Sequence, residues 1–324
     1  NISRHNFCLL TKIIHINIKN FLKKYRILIF SIIALAVIVI SFSSSSTVQT
    51  FFAQKIANSI NEQYGTELEI SRAELDYSGK IDLNDFLIRD HKNDTLIYFN
   101  SFYLSPTSLG KMLSADFNFS SLSLEGVNLN IYKYLNDNLT NLELFINKIS
   151  LENKENLKKS DLNYLINTIE SSDAIIRFKD FNESNKMIVV SDLNFLFKDF
   201  RFIENDLKFE IEQLNLKNNY TVDLNNLSSF FNFSNKKILL KDANIKFGGS
   251  NLNADLEFDF SKINEMNFQE ISDSLFFDFN LKKSEIISSD FNSFYDKINK
   301  AYVSKWVLSG GLNGTLNEMS LNNI

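Results

Sequence analysis

The chain of 324 residues contains few residues that form disulfides, interrupt helices and strands, or act in acid–base catalysis. It has one cysteine, one proline, nine glycines and three histidines. Because Cys8 stands alone, the chain cannot form an internal disulfide or a cysteine-rich zinc site. His5 and His15 precede residue 27, so a two-histidine zinc motif is excluded for the rest of the chain, where His91 is the sole imidazole. The glycine-rich loops of nucleotide-binding proteins and the G-x-S-x-G motif of hydrolases are also absent from the sequence.

The pattern of titratable residues in the sequence does not indicate a particular reaction. His91 lies in the charged segment Arg89–Asp94, which is typical of a solvated turn rather than of a catalytic base. Nothing places two carboxylates in one pocket, although a pair of acids that cleaves glycosidic bonds stays an open alternative. We therefore predict no catalytic residue, no metal ligand and no cofactor, and we expect the protein not to be an enzyme.

Charge is distributed unevenly along the chain. Six of the 34 basic residues and none of the 39 acidic residues lie in residues 1–26, so the remainder carries 28 basic and 39 acidic residues, a formal charge of −11. An acidic surface repels phosphate, and we expect no nucleic-acid partner. Hydrophobic residues make up 44% of the chain and include 31 phenylalanines, which excludes a disordered polypeptide.

Residues 27–54 form an uncharged stretch of 28 residues that directly follows the basic segment. A helix of about 20 apolar residues crosses a bilayer, and a basic flank stays in the cytoplasm. We therefore expect a cytoplasmic segment at 1–26, a single-pass transmembrane anchor at 27–46 and the bulk of the chain outside the cytoplasm. A signal peptide cleaved near the serine run 43–46 is the alternative. The candidate anchor residues are Ile27, Phe30, Ile33, Leu35, Val37 and Ile40.

A change of hydrophobic period predicts helix first and strands afterwards. Apolar residues at steps of three and four between Val48 and Tyr64 predict one apolar stripe on a helix over 47–63, which ends at Gly65. From Leu68 onward apolar and polar residues alternate, with turns about every 10 to 12 residues, which predicts consecutive antiparallel strands. Gly126 divides two such strands and predicts a hairpin.

The apolar alternation changes phase inside two strands, at Lys198-Asp199 and at Lys241-Asp242, and each extra residue predicts a β-bulge. A helical pattern begins at Asn138 and marks the one internal boundary. We accordingly expect an α+β module at 47–150 and a repetitive β-strand groove at 151–324.

The expected fold is mostly β: a transmembrane helix and an amphipathic helix, followed by an elongated, curved antiparallel β-sheet with an apolar concave face, a β-groove. A β-sandwich with a closed core is the alternative. An open face would bind acyl chains or unfolded apolar strands, whereas a closed face would only form the core of the sandwich. The candidate groove-lining residues are Phe195, Phe197, Phe209, Ile211, Ile245, Phe247, Leu256, Phe258, Phe277 and Phe279.

Four segments in this order carry a resemblance to a known family: Thr47–Asn58, Tyr64–Ile70, Asp90–Tyr98 and Leu122–Tyr132. With the anchor in front of them, they resemble the start of the TamB family, the inner-membrane subunit of the translocation and assembly module, within the AsmA-like group. The versions from Bacteroidota are the most similar. The resemblance covers residues 20–150, and the rest of the chain is similar in its strand-rich style.

The resemblance implies a bridge from the inner membrane across the periplasm. It implies a role in assembling outer-membrane proteins or in carrying phospholipid between the membranes, and an outer-membrane BamA-like barrel as a partner. It brings no catalytic residues. The family's terminal domain is missing after Ile324, and the chain begins with asparagine, so we expect a fragment that is incomplete at its C-terminus.

Overall fold

A computed structural model describes residues 46–76, 78–108, 118–151, 164–182, 187–203, 206–219, 222–263, 273–291, 304–315 and 317–323. The basic segment and the six candidate anchor residues lie outside these ranges. Within them, no helix has both the length and the apolar content needed to cross a bilayer.

The described residues contain two α-helices, fourteen strands and one short 3-10 helix, Ser288–Phe291. In chain order the elements are α1 Ser46–Tyr64, β1 Glu67–Leu75, β2 Ile81–Arg89, β3 Thr95–Pro106, β4 Asn118–Glu125, β5 Asn128–Lys133, α2 Asn141–Leu151, β6 Tyr164–Asp180, β7 Ile188–Ile203, β8 Asp206–Asn218, β9 Leu224–Ser234, β10 Lys237–Phe247, β11 Ser250–Asp259, β12 Phe276–Ile287, β13 Lys305–Gly314 and β14 Met319–Asn322. The chain is therefore mostly β, as its alternation predicted.

All fourteen strands belong to one sheet, in which β1 to β4 and then β6 to β14 follow one another in sequence order. Most neighbouring strands are antiparallel, as expected from the short connections between them. The exceptions are β4 and β5, which both pair with β6 in parallel.

The hairpin predicted at Gly126 is wrong, because β4 and β5 run in the same direction along β6. Glu125 lies opposite Ser172, and Asn128 lies opposite Ile175 farther along the same strand. The chain stays bonded to β6 across the interruption, since the Gly126 N–H donates to Ser172 O over 3.1 Å. Gly126 has a φ of 62°, and a Cβ there would lie 2.4 Å from the side chain of Asn100. Glycine thus permits an offset in one strand rather than a reversal of the chain.

The described residues divide into two compact units, 46–194 and 195–323, and the division falls within β7. The first unit has a closed core, in which Leu83, Phe86, Ile88, Leu96 and Leu142 are almost completely buried. The ring of Phe86 stacks on that of a neighbouring phenylalanine in β3 with 4.4 Å between centroids.

Helix α1 covers the free edge of β1 through polar side chains. The amide of Gln49 donates to Leu75 O over 3.1 Å and accepts from Leu75 N over 2.9 Å. Asn61 makes the same two bonds with Leu68, at 2.9 and 2.7 Å. The Thr50 hydroxyl also exchanges two bonds with the strand between these positions. The side chains of α1 therefore occupy the place of a neighbouring strand and satisfy backbone groups that an edge leaves unpaired.

The helix has almost the predicted bounds, but its buried side differs from the predicted apolar stripe. Gln49, Ala53 and Ala57 are buried against the sheet, whereas Val48 is 37% and Phe51 52% exposed. Small and amide side chains let the helix axis approach the strand edge, so hydrogen bonding rather than apolar periodicity sets the helix's rotation.

Helix α2 begins with a reciprocal capping box. The Thr140 N–H donates to Glu143 Oε2 over 2.8 Å, and the Glu143 N–H donates to the Thr140 hydroxyl over 3.1 Å. The next residue, Asn141, is buried and donates to Asp90 Oδ2 over 2.8 Å, which ties the helix to the turn between β2 and β3.

Asp90 is the centre of a buried hydrogen-bond network. Its Oδ2 accepts from the Tyr134 hydroxyl and from Asn141, and its Oδ1 accepts from the backbone N–H groups of Lys92 and Asp94. Burial raises the pKa of the Asp90 carboxyl, but these hydrogen bonds outweigh burial and hold the pKa below its ordinary value. Burial and the bonds to two carboxylates raise the pKa of Tyr134. The turn and α2 are thus joined through an ionised carboxylate.

The hydrogen bonds between α1 and the edge of β1 predict that loss of one of their side-chain amides lowers the stability of the protein. Replacing Gln49 by methionine keeps the side-chain length but leaves the N–H and C=O of Leu75 without a protein partner. We expect the free energy of unfolding to fall by about 1–3 kcal/mol in urea titrations followed by circular dichroism. Asn58→Met, on the exposed side of the same helix, should change it by no more than about 0.5 kcal/mol. Equal effects of the two substitutions would contradict a stabilising role for the hydrogen bonds between α1 and the edge of β1.

The Asp90 network predicts a dependence of stability on pH. Because the folded-state pKa of Asp90 is lowered, its contribution is complete above the unfolded-state pKa of about 4 and is lost as the pH falls through the folded-state value. Wild-type protein should therefore lose stability more steeply below about pH 4 than Asp90→Asn, which carries no ionisable group there. Urea midpoints measured at descending pH test this, and parallel slopes would contradict it.

Candidate functional site

The ten residues predicted to line a groove all lie in the second unit, on five strands. Phe195 and Phe197 are in β7, Phe209 and Ile211 in β8, Ile245 and Phe247 in β10, Leu256 and Phe258 in β11, and Phe277 and Phe279 in β12. Ile211 and Phe277 are buried, and the other eight are half-buried. We call the side of the sheet that carries them the apolar face.

Strand register places large apolar residues in rows across β8 to β14, because residues directly opposite each other point to the same side of a sheet. One row contains Phe209, Phe231, Leu240, Leu256, Phe279, Leu312 and Leu321, each opposite the next. A second, adjacent row contains Leu207, Phe233, Ile238, Phe258, Phe277, Gly314 and Met319. Seven strands with six spacings of about 4.8 Å make each row roughly 29 Å long.

Aromatic rings contact one another along the apolar face. Ring centroids are 4.5 Å apart for Phe195 and Phe197, 4.7 Å for Phe197 and Phe209, and 4.5 Å for Phe209 and Phe231. Phe279 contacts its diagonal neighbour on β11 with centroids 5.1 Å apart. These contacts, within β7 for the first pair and between strands for the others, shield each ring on its sides, while its outer surface remains partly accessible.

The opposite side of the same strands carries ion pairs. Lys237 lies 2.8 Å from Glu257 and 3.2 Å from Asp259, and these hydrogen bonds raise the pKa of the Lys237 ammonium. Lys305 lies 2.7 Å from Glu285 and lowers the pKa of that carboxyl. All these side chains are in contact with water, where such pairs add little stability. The opposite side of the sheet in the second unit is therefore mainly polar and charged, although Phe230, Phe276 and Val307 are exposed on it.

The bulge predicted at Lys241-Asp242 is confirmed, and it keeps the apolar face continuous. Leu240 lies opposite Leu256 and Ala243 opposite Ala254, so two residues of β10 are accommodated between positions that share a side. Asp242 has a φ of 52°, a conformation that aspartate tolerates better than most residues.

The position predicted for the other bulge, Lys198-Asp199, has the same backbone signature. Asp199 has a φ of 51°, and the rings of Phe197 and Phe200 on either side both contact Phe209. The two phenylalanines therefore lie on the same side of the sheet. They are three residues apart, and in a regular strand such residues point to opposite sides, so β7 contains one extra residue between them.

One end of the apolar face is covered by the chain that follows β11. Ile238, Phe260, Ile263 and Leu275 form a buried cluster, against which three half-buried phenylalanines pack. The three are Phe231, Phe233 and Phe258. This end has the closed packing that the sandwich alternative predicted for the whole face.

His91 and two of the carboxylates that the structure describes take part in pairs. His91 Nε2 lies 3.1 Å from Asp137 Oδ2, and its ring meets that of Tyr134 edge to face in an exposed turn. Asp242 and Asp255 share Lys282 as a partner. No group of three metal-ligating side chains occurs among the residues that the structure describes.

Several members of the two rows were not among the ten predicted residues. The turns between the strands are the sequence feature that could have identified them. Asn235 and Lys236 both have positive φ and form a two-residue turn that places Ser234 opposite Lys237. The Gly248-Gly249 turn places Phe247 opposite Ser250 in the same way. Two-residue turns fix register, so counting outward from them identifies the cross-strand partners.

Comparison with models of known protein families and a search of curated proteins both found no match to this chain. The resemblance to the TamB family therefore depends on the four segments quoted above. The function has to be argued from the geometry of the apolar face.

The bulge at Asp242 predicts that backbone conformation outweighs charge at this position. Asp242→Asn removes the exposed ion pair with Lys282 but tolerates positive φ, so we expect unfolding free energy within about 0.5 kcal/mol of wild type. Asp242→Val places a β-branched residue in that conformation and should lose about 1–3 kcal/mol. Thermal and urea denaturation of the two variants test this, and valine no worse than asparagine would contradict it.

Proposed function

We propose that the protein is a non-enzymatic, inner-membrane-anchored bridge or scaffold in the periplasm, similar to the TamB family. Its apolar face shields phospholipid acyl chains or unfolded strands of outer-membrane proteins from water while they pass between the membranes. The fold in this proposal is a curved β-groove with the apolar face on its concave side, and the ten predicted residues line it.

The observation that carries the proposal is the continuous apolar row from Phe209 to Leu321, on a sheet whose other side is mainly polar and charged. The first row is about as long as the roughly 30 Å hydrocarbon core of a bilayer, so an extended acyl chain fits along it. The second row is partly covered, since Leu207, Ile238 and Phe277 in it are buried. Each methylene group that moves from water onto the face contributes about 0.8 kcal/mol. Recognition by phenylalanine and leucine is independent of sequence and headgroup, as a carrier of varied apolar cargo requires.

The membrane side of the proposal is supported by the sequence. The basic segment 1–26 and the uncharged stretch that follows favour a single-pass anchor with the N-terminus in the cytoplasm. By resemblance, the partner at the far membrane is a BamA-like barrel.

The buried cluster around Leu275 favours a second candidate, a membrane-tethered structural or adhesin-like protein whose β-sheets enclose a core. In that case the half-buried phenylalanines would be sealed in the whole protein and would contact no cargo. The two candidates differ in whether Phe279 meets lipid.

Photocrosslinking of the full chain distinguishes them. p-Benzoyl-phenylalanine is placed at Phe279 or, as the matched control, at Asn280, which is adjacent in β12 but lies on the charged side. After irradiation in cells, mass spectrometry of the purified protein should find phospholipid or outer-membrane protein adducts at position 279 and few at 280. Equal adducts at both positions, or none at either, would contradict the proposal.

A second substitution tests whether the row acts as one surface. Leu256→Glu, directly opposite Phe279, should abolish adducts at position 279 while the circular dichroism spectrum is unchanged, because a carboxylate repels an acyl chain. Asn280→Glu adds the same charge on the other side and should preserve them. Unfolding by Leu256→Glu would instead favour the closed-core candidate.

A further inference from the structure

The outward side of α1 changes character along the helix. Near its start it presents Val48 and Phe51, which are 37% and 52% exposed. One turn later the exposed residues are polar or charged, beginning with Lys55 and ending with Glu62. Val48 and Phe51 are three residues apart and are neighbours on the helix surface, so they form a small apolar patch at the end of α1 that follows the uncharged stretch.

The helix cannot rotate to bury these side chains. Its opposite side is held along β1 by the paired amide bonds of Gln49 and Asn61, and Ala53 and Ala57 are buried in the same interface. Turning Phe51 inward would break those bonds and leave the backbone groups of an edge strand unpaired. Phe51 therefore stays outward, on the side away from the sheet.

The sequence before α1 identifies what covers this side. The uncharged stretch 27–54 runs without interruption into the helix, and Lys55 is the first charged residue after it. The Lys55 ammonium lies 5.1 Å from the centre of the Phe51 ring. The apolar ring of Phe51 and the cation of Lys55 thus lie side by side, a combination that suits the boundary between acyl chains and headgroups.

We propose that the outward side of the first turns of α1, with Val48 and Phe51, lies in the headgroup–acyl boundary of the membrane that holds the anchor. Lys55 then lies at the level of the lipid phosphates. Because Gln49 in the first turns of α1 bonds to Leu75, the C-terminal end of β1 is the part of that strand nearest the bilayer. This inference rests on the proposed anchor but not on the cargo assigned to the apolar face.

Tryptophan fluorescence of the full chain in lipid nanodiscs tests the inference. Trp306 is the single tryptophan, so Trp306→Phe gives a silent background. In it, Phe51→Trp should emit at shorter wavelength than Ser59→Trp, which lies on the outward side two turns later. Lipids brominated in the upper acyl chain should quench Trp at 51 strongly and Trp at 59 weakly. Equal emission maxima and no lipid quenching at 51 would overturn the proposal.

A spin label provides an independent reading if tryptophan disturbs the helix. With Cys8→Ser as background, a nitroxide on Phe51→Cys should be more accessible to oxygen than to a water-soluble nickel complex, and the reverse should hold on Ser59→Cys. Preference for nickel at both positions would overturn the proposal. Its failure is distinguishable from that of the proposed function, because lipid adducts at Phe279 report on a different surface.

Discussion

The apolar face depends on strand register. Side chains alternate between the two sides of a strand, so a slip of one residue in any pair would exchange phenylalanines for the lysines and carboxylates behind them. Seven strands must agree for a row such as that from Phe209 to Leu321 to be continuous. The two-residue turns after β9 and β10 set the register at strand ends, and the bulge at Asp242 restores it where β10 has a residue too many.

A sheet with an accessible face still has to close its edge. Unpaired N–H and C=O groups at an edge attract other strands, and hydrogen bonding there does not discriminate between partners. At β1 the side chains of Gln49, Thr50 and Asn61 occupy these groups. Addition of a cargo strand at β1 is therefore blocked. In the proposed function, cargo binds through side chains on the apolar face and not through backbone pairing at this edge.

Much of this architecture could be predicted from the sequence, because period-two alternation identifies strands wherever one side is wet. The strand region, the extent of α1 and the bulge at Asp242 follow from local pattern. The direction of β5 does not, since Gly126 looks like a turn and only bonding to β6, about 45 residues later, keeps the chain straight. The rotation of α1 is also nonlocal, because Gln49 and Asn61 reveal their role only beside β1.

For the apolar rows, the sequence identified candidates but not the extent of the face. Phe209 and Phe279 could be selected as apolar residues of alternating strands. That they belong to one row is a property of four successive strand pairings between them, and each pairing needs its own register. Whether such residues are covered is not encoded in alternation at all, because a sandwich core and an open face have the same period.

In the second unit, contacts between aromatic rings inside the sheet contribute to the stability of the apolar face. Phenylalanines on neighbouring strands lie 4.5–4.7 Å apart between centroids, and such cross-strand pairs each contribute roughly 0.5–1.5 kcal/mol beyond burial. They lower the apolar area in water without occupying the space above the rings. The cluster around Leu275 adds a closed core that covers part of the second row. In the proposed function, stabilisation by contacts between neighbouring rings leaves the outer surface of the first row to a ligand.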